Sequence, residues 1–144
     1  MKTILLIAAG SLCFAGSERK VKLEDMPAAV QAAIKEQSTG ATIKGFSKEV
    51  EKGKTSYEAE MTVNGHSKDV SFDPSGKIVA VEEETPIDSI PEPARAAIRE
   101  AVGGGKLKMV ETVREDGTMF YEASFKTGMK TKEVKFDAGG KPVK

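Results

Sequence analysis

His66 is the only histidine and Cys13 the only cysteine in this 144-residue chain, so the groups that most often run nucleophilic catalysis or hold zinc are nearly absent. A zinc site draws several His, Cys or carboxylate ligands to one point. His66 instead follows Asn64-Gly65 and reads as an exposed turn residue. A serine nucleophile needs a base within hydrogen-bond reach. The one histidine stands at a turn, with Lys130 in the matching place of the chain's second half, so no Ser-His-acid set emerges. Asp73 and Asp137 each head an Asp-x-x-Gly sequence. A side-chain oxygen accepting from the backbone just ahead accounts for both, whereas calcium would need several more oxygens at short spacing. Glu82-Glu83-Glu84, before Thr85-Pro86, reads as a solvated linker, with weak cation binding as the alternative. Gly103-Gly104-Gly105 lacks the strand before it and the helix after it that a phosphate-cradling loop requires, and reads as a flexible link. No enzyme, no cofactor and no metal site are expected.

What is left is chemistry of contact, and strand alternation decides which side chains can offer it. Tyr57, Ala59, Met61 and Val63 share one face of a strand, and Ser56, Glu58, Glu60 and Thr62 share the other. Tyr121, Ala123 and Phe125 repeat the inward set, which makes both tyrosines core rings and turns Phe120, Glu122 and Ser124 outward. Phe46 is expected to be similarly out of phase. Because exposed aromatics are enriched at protein contacts, Phe120 leads the candidates for a binding face, with Glu58, Glu60, Glu122 and Ser124 around it. Packing of Phe120 against the other repeat is the alternative.

The elements that position these residues recur. Sliding the sequence by 64 residues sets Met26-Pro27 on Ile90-Pro91, Ala32-Ala33-Ile34 on Ala96-Ala97-Ile98, and Tyr57-Glu58-Ala59 on Tyr121-Glu122-Ala123. It also sets Val70, Phe72-Asp73 and Gly76-Lys77 on Val134, Phe136-Asp137 and Gly140-Lys141. The copies are expected at 21–84 and 85–144. Met26, Val30, Ala33 and Ile34, and again Ile90, Ala94, Ala97 and Ile98, follow helical spacing. Pro27 and Pro91 suit a first turn, and Ser89 with Glu92 reads as a capping box. Asn64-Gly65 marks a hairpin. The expectation is an α+β fold in which each copy packs a helix on a four-stranded antiparallel sheet and leaves the other sheet face polar. Copies this small gain stability by packing together.

Composition narrows the partners. Lys plus Arg and Asp plus Glu number 22 each, and such a balance lacks the basic excess of nucleic-acid binders. Lys2, the apolar run from Ile4 to Ala9, and the small residues Ala15-Gly16-Ser17 have the order of a secretory signal peptide at 1–17. The stretch is too short for a membrane span, which takes about 17–25 residues. Removing the leader, after Ala15 or Ser17, removes Cys13. A lipidated Cys13 is the alternative, although Gly10 stands where such signals carry Leu. Thiol-free and exported, the remainder must be held by packing.

A short helix, a Tyr-bearing hairpin strand and a strand closing in Val-x-Phe-Asp and x-x-Gly-Lys resemble the PepSY-like family, itself similar in fold to the beta-lactamase inhibitory protein. The residues are Tyr57, Val70, Phe72, Asp73, Gly76 and Lys77, then Tyr121, Val134, Phe136, Asp137, Gly140 and Lys141. The resemblance implies a periplasmic or extracellular protein that binds or inhibits another, such as a peptidase or cell-wall enzyme, through a concave sheet. The shared residues are core and turn residues, so they support fold more than activity. The expected function is therefore an exported, non-catalytic binding module. The alternative is a small-molecule or cation binder using the cleft between repeats.

Overall fold

A computed structural model describes residues 7–8 and 17–144, leaving most of the expected leader, Cys13 included, outside the described residues. Among the described residues no helix is long and apolar enough to cross a membrane. The chain divides into two compact units that meet in sequence at residues 83 and 84, and the short strand Ile7–Ala8 (β1) belongs to the second.

In the first unit a four-residue strand, Ser17–Lys20 (β2), leads through a 3-10 turn to Ala28–Gln37 (α1), and then to Thr42–Glu51 (β3), Lys54–Val63 (β4), His66–Phe72 (β5) and Ile78–Glu84 (β6). These strands pair antiparallel in the order β2-β3-β4-β5-β6. In the second unit Glu92–Val102 (α2) is followed by Lys106–Glu115 (β7), Thr118–Thr127 (β8) and Lys130–Phe136 (β9), again antiparallel. β1 runs antiparallel to β9 at Glu133 and Lys132.

The 64-residue period of the sequence governs the backbone in detail. β7, β8 and β9 begin and end 64 residues after β3, β4 and β5. The bulge between Ile43 and Gly45 recurs between Leu107 and Met109. One expected strand differs: the second copy's counterpart of β6 is a single bridge between Phe136 and Pro142. Proline has no N–H to give a ladder, and it follows Gly139, Gly140 and Lys141, which have little strand preference.

Each core lies between a helix and the sheet face beneath it. Met26, Val30 and Ile34 meet Tyr57, Ala59, Met61, Val70 and Phe72 in the first. Ile90, Ala94 and Ile98 meet Tyr121, Ala123, Phe125, Val134 and Phe136 in the second. Apart from Val110, which is buried only in the second core, the two sets match position by position, and volume is exchanged between helix and sheet: Val30 with Met61 in the first core becomes Ala94 with Phe125 in the second. Each such large side chain contributes about 1.5–3 kcal/mol by leaving water. Val63 is only half-buried at its strand's end.

Hairpin turns carry the left-handed residues the sequence supplies, Asn64-Gly65 at φ 51° and 83° among them. Gly76 and Gly140 have a second reason to be glycine. A β-carbon there would stand 2.6 Å from the Ala29 carbonyl oxygen and 2.5 Å from that of Pro93, so both turns press on the first turn of their helix.

Candidate functional site

Most residues that could have marked chemistry have structural roles. Asp73 Oδ1 accepts from the Ser75 and Lys77 amides at 2.9 and 3.1 Å, and Asp137 Oδ1 from the Gly139 and Lys141 amides at 2.9 Å each. The Ser75 hydroxyl, which also donates to Oδ1, holds the Asp73 carboxyl below its usual range, with the two amides adding to it. His66 is exposed and opens β5 opposite Val63. Two expectations are corrected. Glu82-Glu83-Glu84 is no linker: it ends β6, where Val81 pairs with Val70 and Glu83 meets Lys68 at 3.6 Å. Cross-strand pairing there outweighs the weak strand preference of glutamate. Ser89 and Glu92 form no capping box. Ser89 Oγ donates to the Pro86 carbonyl at 2.7 Å and Glu92 pairs with Arg95, because the preceding 3-10 turn places Pro91, not Ser89, at the helix start.

The sheet face turned away from α1 is built by register. Glu58 of β4 stands opposite Ser47 of β3 and Ser71 of β5, while Glu60 stands opposite Gly45 and Asp69. Glu49 and Glu82 lie on the same face. Lys20, reaching in from β2, is ion-paired with Glu60. Glu58 has no such cation. Its burial, and then the charges of Asp69, Glu60 and Glu18, push its carboxyl up to about 7, Lys20 only partly opposing them. Burial and the Glu60 charge also raise Asp69, and burial with Glu51 and Glu18 raises Glu49. The face is an array of carboxylates, and Glu49, Glu58 and Asp69 are each raised from their ordinary values.

The corresponding face of the second copy has different chemistry on the same frame. Glu122, 7 % exposed, replaces Glu58, and the residue opposite it is Lys135 rather than Ser71. Lys135 Nζ lies 3.1 Å from Glu122 Oε2 and 5.4 Å from the centre of the Phe120 ring. Phe120 does point away from α2, as alternation requires, but it is not exposed: only 6 % of it is accessible, with buried Val113 opposite and the Lys135 ammonium over its ring. Ser124 is half-buried, opposite Glu133. Phe46 is also corrected, since it faces Ala59 and packs against the helix-side core.

The structure thus brings Glu58 and Glu60 together on one face, and Phe120, Glu122 and Ser124 together on the other copy's face. Sequence reasoning missed Lys20, Asp69, Val113 and Lys135. Alternation along β5 and β9 places Asp69 and Lys135 on these faces, and matching Ser71 to Lys135 in the repeat would have singled out the ion pair. Among the described residues no group of three or more His, Cys, Asp or Glu is arranged to hold a metal ion. The faces can supply charge and apolar contact.

The sequence matches the family described as "Putative beta-lactamase-inhibitor-like, PepSY-like" twice, over residues 15–77 and 55–144. No curated protein matches it. Among solved structures it is similar to a "putative periplasmic" protein of Bacteroides eggerthii, with 19% identity, 83% of this chain and 86% of that one covered, and a TM-score of 0.67. A DUF2874-family protein of Bacteroides ovatus shows 17% identity over 83% and 85% at a TM-score of 0.63. A BLIP-like protein of Bacteroides fragilis shows 24% identity over 83% and 84% at a TM-score of 0.59. At these identities the likeness is one of fold.

Proposed function

The chain belongs to the PepSY-like, beta-lactamase-inhibitor-like family, and from that premise we propose that it is an exported, non-catalytic module that binds a partner protein through the sheet faces turned away from its helices. The partner is an envelope or secreted protein of the peptidase or cell-wall-enzyme kind. The periplasmic description of one similar structure and the inhibitor-like description of another support the compartment and the mode of action.

One observation carries the reading. The first copy gathers Glu49, Glu58, Glu60, Asp69 and Glu82 on one face, with Lys20 ion-paired to Glu60, and the Glu58 carboxyl is raised to about 7. Folding alone gains nothing from grouping like charges on a half-buried sheet. In the second copy the same position is neutralised by Lys135, so the frame does not impose the grouping. A partner that lays Lys or Arg against this face removes the repulsion and gains charge-assisted hydrogen bonds.

The test is capture of envelope proteins on the immobilised protein, beside a Glu49→Lys, Glu60→Lys variant and a helix-side control, Lys35→Glu. A protein retained by the parent and the control but lost from the face variant is the expected result. Equal retention by all three, or loss only with the control, would place binding elsewhere.

A further inference from the structure

On the helix side of the first copy, away from the proposed docking face, β2 and β3 border an open cleft of about 600 Å³. Its walls include Arg19, Lys22, Lys48 and Tyr57, with Asp25 the one carboxylate among the lining residues. Arg19 and Lys48 stand directly opposite each other across the antiparallel ladder. Lys48 Nζ lies 5.8 Å from the centre of the Tyr57 ring. Neither Arg19, Lys22 nor Lys48 pairs with a carboxylate among the described residues. Lys20 also borders the cleft, but its ammonium is drawn to Glu60 on the other face.

Like charges directly opposite in a sheet are destabilising, and the internal repeat shows that this frame does not require them. At the matching positions of the second copy, Arg19 becomes Glu83, Lys22 becomes Pro86 and Lys48 becomes Thr112, while the tyrosine is kept as Tyr121. Cations collected in a concave site focus the field and raise the local concentration of anions. The guanidinium of Arg19 presents the fork that matches carboxylate or phosphate oxygens, and Lys22 and Lys48 add point charges beside it. The volume suits a small molecule, since such sites run from about 300 to 1,000 Å³.

We infer that this cleft is a binding site for a small multiply charged anion, a polycarboxylate or polyphosphate, held by Arg19, Lys22 and Lys48. It lies on the opposite side of the sheet from the docking face and does not depend on it.

Thermal unfolding of the purified protein is followed with citrate, with tripolyphosphate, and with sodium chloride at matched ionic strength, each up to about 10 mM anion. The comparison is an Arg19→Glu, Lys48→Thr variant, which carries the second copy's residues, and a milder Lys22→Gln. Citrate or tripolyphosphate is expected to raise the Tm beyond the salt control. The rise is lost in the double variant and reduced in Lys22→Gln, and whichever anion acts identifies the group recognised. Amide NMR shifts on titration are expected around 19–25 and 48 and not around 83–89 and 112. No shift beyond salt from either anion, an equal rise in the double variant, or shifts spread over both copies would overturn the assignment.

Discussion

At the residue scale the two copies run an internal experiment on one carboxylate. Glu58 has a serine opposite it and Glu122 a lysine. In the folded protein Glu58 is raised from 4.5 to about 7. Between those values the native state keeps a proton that the unfolded chain has lost, so stability falls as pH rises through this window, and above it the full penalty applies. Glu58→Gln removes the ionisation. Chemical denaturation should show parent and variant equally stable near pH 4. Near pH 8 the variant should be more stable by on the order of 1–2 kcal/mol, allowing for residual solvent around the half-buried group. Equal stability at both values would mean that Glu58 ionises normally. Glu122 predicts the converse. Lys135→Met strands a buried carboxylate and should cost about 3 kcal/mol or more, most of it recovered in the Lys135→Met, Glu122→Met double variant. Additive costs would show that Lys135 acts only by packing on Phe120.

At the scale of elements, the turn after β5 and the turn after β4 separate two meanings of glycine. Gly65, at φ 83°, has nothing within 4 Å of the point a β-carbon would occupy, so Gly65→Ala meets only the left-handed backbone penalty of about 1–2 kcal/mol. Gly76 has the same φ, but its β-carbon would collide with the Ala29 carbonyl of α1. Gly76→Ala should therefore lower stability by at least about 1–2 kcal/mol more than Gly65→Ala. Equal losses in denaturant titrations would refute the contact. That Asp-x-x-Gly marks a turn was legible in the sequence; that the turn braces a helix was not, because the contact joins residues 47 positions apart. Helices and long hairpins were equally legible, since period and the 64-residue repeat agree. β2 was not: Ser-Glu-Arg-Lys has no apolar alternation, and only its pairing with β3 makes it a strand. The acidic end of β6 escaped for the same reason. Phe120 was assigned to the right face and the wrong environment, because alternation sets direction while burial depends on neighbours such as Val113 and Lys135.

At the scale of the molecule, duplication has kept one backbone and let its surfaces diverge. Both copies retain the core, the bulge and the Asp-x-x-Gly brace, because a change there would cost packing in either copy. The faces away from the helices carry no such constraint, and one has become acidic while the other is neutralised around Phe120. If the acidic face is the one that meets the partner, binding must depend on salt and on pH in a defined direction. A cation laid against Glu58 and Asp69 favours their ionised forms, so complex formation releases protons. Affinity should fall as pH drops below about 7, by up to about tenfold per pH unit for one proton released. The association rate should fall as salt rises, because attraction between exposed charges is screened. Glu58→Gln should flatten the pH response while leaving much of the salt response to Glu49, Glu60 and Asp69. Measured by calorimetry in buffers of different ionisation heat, the released proton would appear directly. Affinity that is constant between about pH 6 and 8, with no buffer dependence, would instead assign the contact to the ion-paired face around Phe120, Glu122 and Lys135.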